Sequence, residues 1–155
     1  MRLPIAMLGT VAALLLSRAV GFVCAEETEE QAVAAIEKLG GTIDRDEDKP
    51  GKPVRLVRLD RTKIRDAGLV HLQRLKTLEV LALRDTKISN TGLVHLKTQR
   101  QLECLLLGGT DVTDAGLVHL KKLERLRYLQ LFKTKVTDAG VKALQKALPK
   151  CEIIR

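Results

Sequence analysis

The chain has 155 residues, with 27 Lys and Arg against 19 Asp and Glu (formal net charge +8), and is 45% hydrophobic, 30% charged and only 2% aromatic. It is too apolar for a disordered chain and too short for more than one domain, and with so few aromatics its core must be packed by aliphatic side chains. Residues 54–155 hold 22 leucines, a bias that argues for one unit reused many times and against a mixed α/β enzyme core.

The first element in chain order is a leader. Arg2 precedes an uncharged apolar run from Ile5 to Leu16, and Arg18 follows it. The run falls short of the roughly 20 residues a membrane-spanning helix needs. The pattern therefore predicts a cleaved export signal over residues 1–25, with a retained anchor as the alternative. Val23-Cys24-Ala25 offers small residues at −3 and −1 of a signal peptidase site, which would start the mature chain at Glu26, and Ser17-Arg18-Ala19 is a second possible site. Cys24 raises lipidation as a further option, although Val23 stands where that processing takes a small residue. The expected location is the periplasm, the cell envelope or the extracellular medium.

Residues 26–53 read as an N-terminal cap. Between Glu27 and Leu39, the residues Val33, Ile36 and Leu39 recur at helical spacing, and Gly40-Gly41 supplies a stop. Thr42-Ile43 predicts an edge strand, joined through Lys49-Pro50-Gly51-Lys52-Pro53 to a first repeat strand at Val54. The intervening Asp44-Arg45-Asp46-Glu47-Asp48 opens like a calcium loop. However, Lys49 occupies the place of the required Gly and Arg55 that of the closing Glu, so an acidic hairpin tip is expected instead.

From residue 54 to 155 the sequence repeats every 24 residues. Thr62, Thr86, Thr110 and Thr134 are in register; so are Ile64, Ile88, Val112 and Val136; Asp66, Asn90, Asp114 and Asp138; and Gly68, Gly92, Gly116 and Gly140. Each unit opens on an apolar run such as Leu102/Leu105/Leu107, whose last two members have the period of a strand. It continues with apolar residues every third position, as in Leu69, Leu72 and Leu75, which predicts a short helix with the Asp or Asn as its N-cap. Such a unit cannot bury its own apolar faces and folds only by stacking on its neighbours. After Pro149, Cys151-Glu152-Ile153-Ile154 predicts a terminal strand, with Cys151 and Ile154 in leucine-like core sites if one residue is inserted.

Leu102-x-x-Leu105-x-Leu107-x-x-Thr110-x-Val112 resembles the frame of the leucine-rich repeat family, L-x-x-L-x-L-x-x-N/C-x-L. Thr in place of the family's Asn or Cys in all four copies is similar to a 24-residue subtype of short exported bacterial proteins. The resemblance implies an α/β solenoid of right-handed βα repeats with a parallel concave sheet over residues 54–155, capped by the N-terminal helix. It also implies a module that binds other macromolecules. The Thr hydroxyl is expected to bond the turn backbone in the Asn's stead.

Nothing in the residues points to catalysis, a cofactor or a metal. Ser89, the one serine after the leader, has no assigned base, and the common phosphate- and metal-binding motifs do not occur. His71, His95 and His119 share one repeat column, yet stacked helices hold such side chains too far apart for the ~2.1 Å bonds of a zinc site. Cys104 and Cys151 fall on different sheet faces, beyond disulfide reach, with Cys104 the more reactive candidate. Thiol or metal chemistry at Cys104 or the His column is the enzymatic alternative.

Strand alternation places a partner-binding surface. If Leu81 and Leu83 point inward, then Leu56, Arg58, Val80, Arg84, Cys104, Leu106, Tyr128, Gln130 and Phe132 line the concave face, with both aromatics of the chain beyond the leader at one end. A non-catalytic module binding a protein partner there is the expected function. Residues 26–53 carry nine acidic and four basic side chains, whereas residues 54–155 carry ten acidic and 21 basic. An exposed basic surface taking an anionic polymer, polysaccharide or nucleic acid, is therefore the alternative.

Overall fold

Six strands form one sheet whose spatial order follows the chain: β1 (Thr42–Arg45), β2 (Val54–Arg58), β3 (Val80–Ala82), β4 (Cys104–Leu106), β5 (Tyr128–Gln130) and β6 (Glu152–Ile154). This computed structural model describes residues 27–155; the predicted leader, its cleavage sites and Cys24 lie outside the described residues. Strands β2 to β6 are parallel, with Val57, Leu81, Leu105, Leu129 and Ile153 abreast. The four inner residues Val57, Leu81, Leu105 and Leu129 are fully buried. Pairing continues past the strands, since Leu83 N–H donates to the Leu106 carbonyl and Asp85 N–H to that of Gly108.

Each parallel step needs a crossover, and a helical segment supplies it. The first two crossovers are 3₁₀ helices, Asp66–Arg74 and Gly92–Thr98; the others are α2 (Asp114–Leu117) and α3 (Asp138–Ala147), with α1 (Glu29–Lys38) ahead of the sheet. Side-chain spacing separates the first crossover from the last. A 3₁₀ helix has three residues per turn, so residues i and i+3 eclipse and face the same way. Leu69, Leu72 and Leu75 have that spacing and are fully buried, which holds a nine-residue 3₁₀ run that would not persist alone. In α3 the inward residues are Val141, Leu144 and Leu148, spaced three then four, which is the α-helical pattern.

The extra residue in the α3 segment shifts Leu148 and Cys151 one place along. Cys151 N–H donates to the Leu148 carbonyl, as Leu126 N–H does to that of Leu123, so Cys151 fills the leucine site as expected. The shift is cancelled before β6. Glu152 then pairs with Tyr128, Ile153 with Leu129 and Ile154 with Gln130. The expectation that Ile154 occupies a core site is thereby corrected: Ile153 packs against the core, and Ile154 joins the opposite face of the sheet.

Helix α1 and strand β1 lie against the first repeat at the other end of the sheet. Thr28 and Gln31 form a capping box, with Gln31 N–H donating to Thr28 Oγ1 (3.2 Å) and Thr28 N–H to Gln31 Oε1 (2.9 Å). Helix α1 buries Ala32, Val33 and Ile36, and Gly40 at φ 86° ends it. Strand β1 returns antiparallel to β2. The loop after it is the acidic hairpin tip expected from the sequence, with part of its charge offset locally, because Asp46 pairs with Lys49 (2.8 Å) and Glu47 with Lys52 (2.5 Å). Among the described residues, one leucine column of the core carries a polar side chain. Gln99, fully buried in the column of Leu75 and Leu123, donates Nε2 to the Leu72 carbonyl, and its Oε1 has no partner.

Candidate functional site

All nine residues predicted for the concave face fall on the open side of the sheet, in three rows. Leu56, Val80, Cys104 and Tyr128 stand abreast, half-buried, between Asp44 of β1 and Glu152 of β6. The second row is Arg58, Ala82, Leu106, Gln130 and Ile154, and the third, beyond the strands, is Asp60, Arg84, Gly108 and Phe132. Neighbours in a row sit about 4.8 Å apart. Phe132 is 44% exposed, the largest apolar side chain turned to solvent on this face. Gly108 leaves a notch beside it, in which a Cβ would lie 3.4 Å from Gln130 Oε1 and from the Phe132 carbonyl. Asp44, Glu152 and Ile154 belong to the surface and were not expected there; the first two follow from strand pairing that only the fold defines.

The two arginines of the face are paired rather than open. Arg84 Nη2 bonds Asp60 Oδ2 at 2.8 Å while its backbone N–H donates to Asp60 Oδ1 at 2.8 Å, and Arg58 lies 3.9 Å from Asp44. Burial raises the pKa of Asp60, but the Arg84 hydrogen bonds and charge outweigh it and hold the carboxyl below its usual range. Burial pushes the Cys104 thiol up, only partly offset by Arg84, and drives Cys151 up to about 11. Both are free thiols, and neither environment activates a nucleophile.

The turn above the face repeats in every unit. Thr62, Thr86, Thr110 and Thr134 donate to the carbonyls of Leu59, Leu83, Leu107 and Leu131 at 2.7–2.8 Å, as expected of hydroxyls standing in for an amide. One residue earlier, Arg61, Asp85, Gly109 and Lys133 all have φ between 54° and 72°. Only Gly109 is relieved of the cost this carries for residues with a Cβ.

The Asp column departs from its predicted N-cap role. The capping residues are Arg65, Thr91, Thr113 and Thr137, one place earlier except in the second repeat, where the helix starts late. The column instead stitches each repeat to the next. Asp66 accepts from Ser89 N–H (2.7 Å), Ser89 Oγ (2.5 Å) and Thr91 Oγ1; Asn90 accepts from Thr113 N–H (2.9 Å) and donates to Thr113 Oγ1 (2.9 Å); Asp114 accepts from Thr137 N–H (2.7 Å) and Thr137 Oγ1 (2.6 Å). Ser89 is therefore a rung of this ladder, occupied by a carboxylate. Burial opposes ionisation of Asp66, yet the Ser89 and Thr91 hydroxyls and the Ser89 and Gly92 amides together hold its carboxyl below the usual range.

The histidines divide by neighbour. His71 Nδ1 meets Glu27 Oε1 at 2.5 Å and His95 Nδ1 meets Gln73 Nε2 at 2.9 Å, whereas burial and then Lys97 lower the pKa of His119. Among the described residues no group of three His, Cys, Asp or Glu could hold a metal, and no helix is long and apolar enough to cross a membrane. Beside the histidines runs an exposed column that the sequence reading missed, Val70, Val94 and Val118, 40%, 40% and 51% exposed. Its 24-residue spacing was the available signal.

With strands, crossovers and repeat ladders in place, the comparison with known proteins bears on the fold. A family model described as "Leucine Rich repeat" matches residues 74–97 and 125–144. The chain has a leucine-rich-repeat fold. Internalin C2 of Listeria monocytogenes is similar in structure at TM-score 0.53 and 19% identity over 79% of this chain and 51% of its own. Actin-binding site 2 of leiomodin-1 is similar at TM-score 0.52 and 16% identity, over 76% of this leucine-rich-repeat chain and 72% of its own. A leucine-rich-repeat protein of Leptospira interrogans matches at TM-score 0.42 and 22% identity over 56% of this chain. The present chain spans 27% of the Leptospira protein and about half of internalin C2. No curated protein sequence matches it.

Proposed function

We propose that this leucine-rich-repeat chain is an exported, non-catalytic interaction module that takes a protein partner on the open face of its sheet. The observation that carries the reading is Phe132. A large aromatic, 44% exposed beside the Gly108 notch, with Leu106 and Tyr128 on adjacent strands, is the kind of anchor that protein interfaces favour. The surface is rigid before binding, because its backbone is hydrogen-bonded strand to strand and its arginines are already paired. Little ordering entropy is then lost on association. The paired arginines leave Phe132, Tyr128, Leu106 and Val80 to supply affinity, with Asp44 and Glu152 at the ends of the first row fixing orientation.

The remaining parts of the reading have separate supports. Export rests on the leader at residues 1–25, and a bacterial envelope setting on the resemblance to short exported repeat proteins. Absence of catalysis is supported by the environments of Ser89, Cys104 and Cys151, each accounted for by packing or by the repeat ladder. A use of this fold for protein binding is stated in the name of the leiomodin-1 region.

The test is a photo-reactive benzoylphenylalanine at position 132, with position 142 of α3 as the control, in the protein expressed in its native cell envelope. A discrete protein adduct from position 132 and none from position 142 is the expected result. Adducts from position 142 alone, or none from position 132, overturn the assignment of the face.

A further inference from the structure

On the helical side, a groove of about 560 Å³ opens between the second and third repeats, lined by Lys97, Arg100, Val118, His119, Lys121 and Lys122. It carries four permanent cations and no carboxylate. None of the four forms an ion pair among the described residues, whereas Arg45, Lys49, Lys52, Arg55 and Arg84 all do. Clustered unpaired cations raise the local potential and repel one another, a cost that an anion spanning them removes.

The repeat alone does not set the charge of the groove. In the column of Lys97 and Lys121 the flanking repeats carry Gln73 and Gln145, and in that of Arg100 the next repeat carries Glu124. The histidine column is the sharper sign. His95 meets Gln73, and the residue corresponding to Gln73 one repeat on is Lys97, which stands by His119. Two histidines of the column thus have a hydrogen-bonding neighbour, and the third faces a cation inside the groove.

We infer that this groove binds a multiply charged phosphate group, held between Lys97 and His119 with Arg100, Lys121 and Lys122 around it. Lysine ammoniums supply mobile point charges to a tetrahedral oxyanion and the Arg100 guanidinium a planar fork, so several phosphoryl oxygens are met at once. Three or four ligand charges balance the four cations, which favours linked phosphates over a single carboxylate. The phosphates belong either to a soluble polyphosphate or to lipid headgroups. The site lies on the helical side, apart from the open face of the sheet, and stands or falls independently of the protein-binding reading.

The test follows the His119 ring by NMR in the full chain while inorganic tripolyphosphate is added at constant ionic strength. The present neighbours hold the His119 pKa down, so a bound anion beside it must raise it, here by about 0.5 pH unit or more, in a saturable manner. Lys97→Ala with Lys121→Ala, both exposed positions, is expected to weaken the titration about tenfold, while Phe132→Ala leaves it unchanged. A second arm measures co-sedimentation with phosphatidylglycerol and phosphatidylcholine vesicles. Binding to the anionic vesicles alone, lost in the double variant, assigns the phosphate to lipid headgroups; tripolyphosphate binding without co-sedimentation assigns it to a soluble ligand. No saturable shift of His119, or an equal one in the double variant, overturns the site.

Discussion

Gln99 occupies a leucine site at full burial with its Oε1 unpartnered, and the Leu72 carbonyl that it bonds already accepts from Leu75 N–H. Gln99→Leu therefore removes a buried unsatisfied group without creating another, and is expected to stabilise the chain by about 1–2 kcal/mol in urea denaturation. Asp66 is a residue whose charge matters: its folded pKa is depressed, so its contribution is present above the unfolded value near 3.9 and is lost as pH falls through the folded value. Asp66→Asn keeps the amide-type rung that Asn90 makes in the next repeat and abolishes that titration. Its urea midpoint should fall less than that of the parent between pH 5 and pH 2. For the thiols, alkylation at pH 8 followed residue by residue in a mass spectrometer should modify half-buried Cys104 slowly and Cys151, with its pKa near 11, only on unfolding.

At the scale of elements, a short helical crossover in each unit was legible in the sequence from apolar residues such as Leu69/Leu72/Leu75, but its 3₁₀ or α form was not, since Leu117/Leu120/Leu123 keep the same spacing in the repeat that contains α2. The strands were legible for the same reason, an apolar period that changes within each unit. The Asp column was misread as an N-cap because a short acid before a helical run is ambiguous. Whether its oxygen reaches its own helix or the next repeat depends on the distance between stacked units, which no single unit encodes. The Gly column held the missing clue. A Cβ on Gly92 would stand 2.5 Å from Asp66 Oδ1, so this glycine exists to admit the neighbouring repeat's carboxylate. Gly92→Ala should cost about 1–3 kcal/mol. In a double-mutant cycle with Asp66→Ala the two costs should be clearly less than additive, since the second change removes the obstructing group. Ile154 was misplaced because the residue added near α3 is removed again before β6, two changes that local patterning shows only one at a time.

Over the whole molecule, each column of the sequence becomes a physical line: leucines along the core, threonines along the turns, Asp and Asn along the inter-repeat ladder, and alternating strand residues along the open face. That translation is why the nine face residues could be named from the sequence, since a parallel sheet in constant register converts sequence offset into lateral distance. What the sequence left open was charge state. The sequence placed Arg58 and Arg84 on the face without their partners Asp44 and Asp60, which strand pairing supplies, whereas Lys97, Arg100, Lys121 and Lys122 gather into one groove from positions that look scattered. The molecule thus presents two chemically different surfaces, an aromatic and aliphatic sheet face and a cationic helical side. Hydroxyl-radical footprinting of the chain, alone and with the partner captured through position 132, separates them directly. Protection of Tyr128 and Phe132 with Val94, Val118 and His119 unchanged is the predicted outcome, and protection of the Val94/Val118 side with Tyr128 and Phe132 still reactive would contradict it.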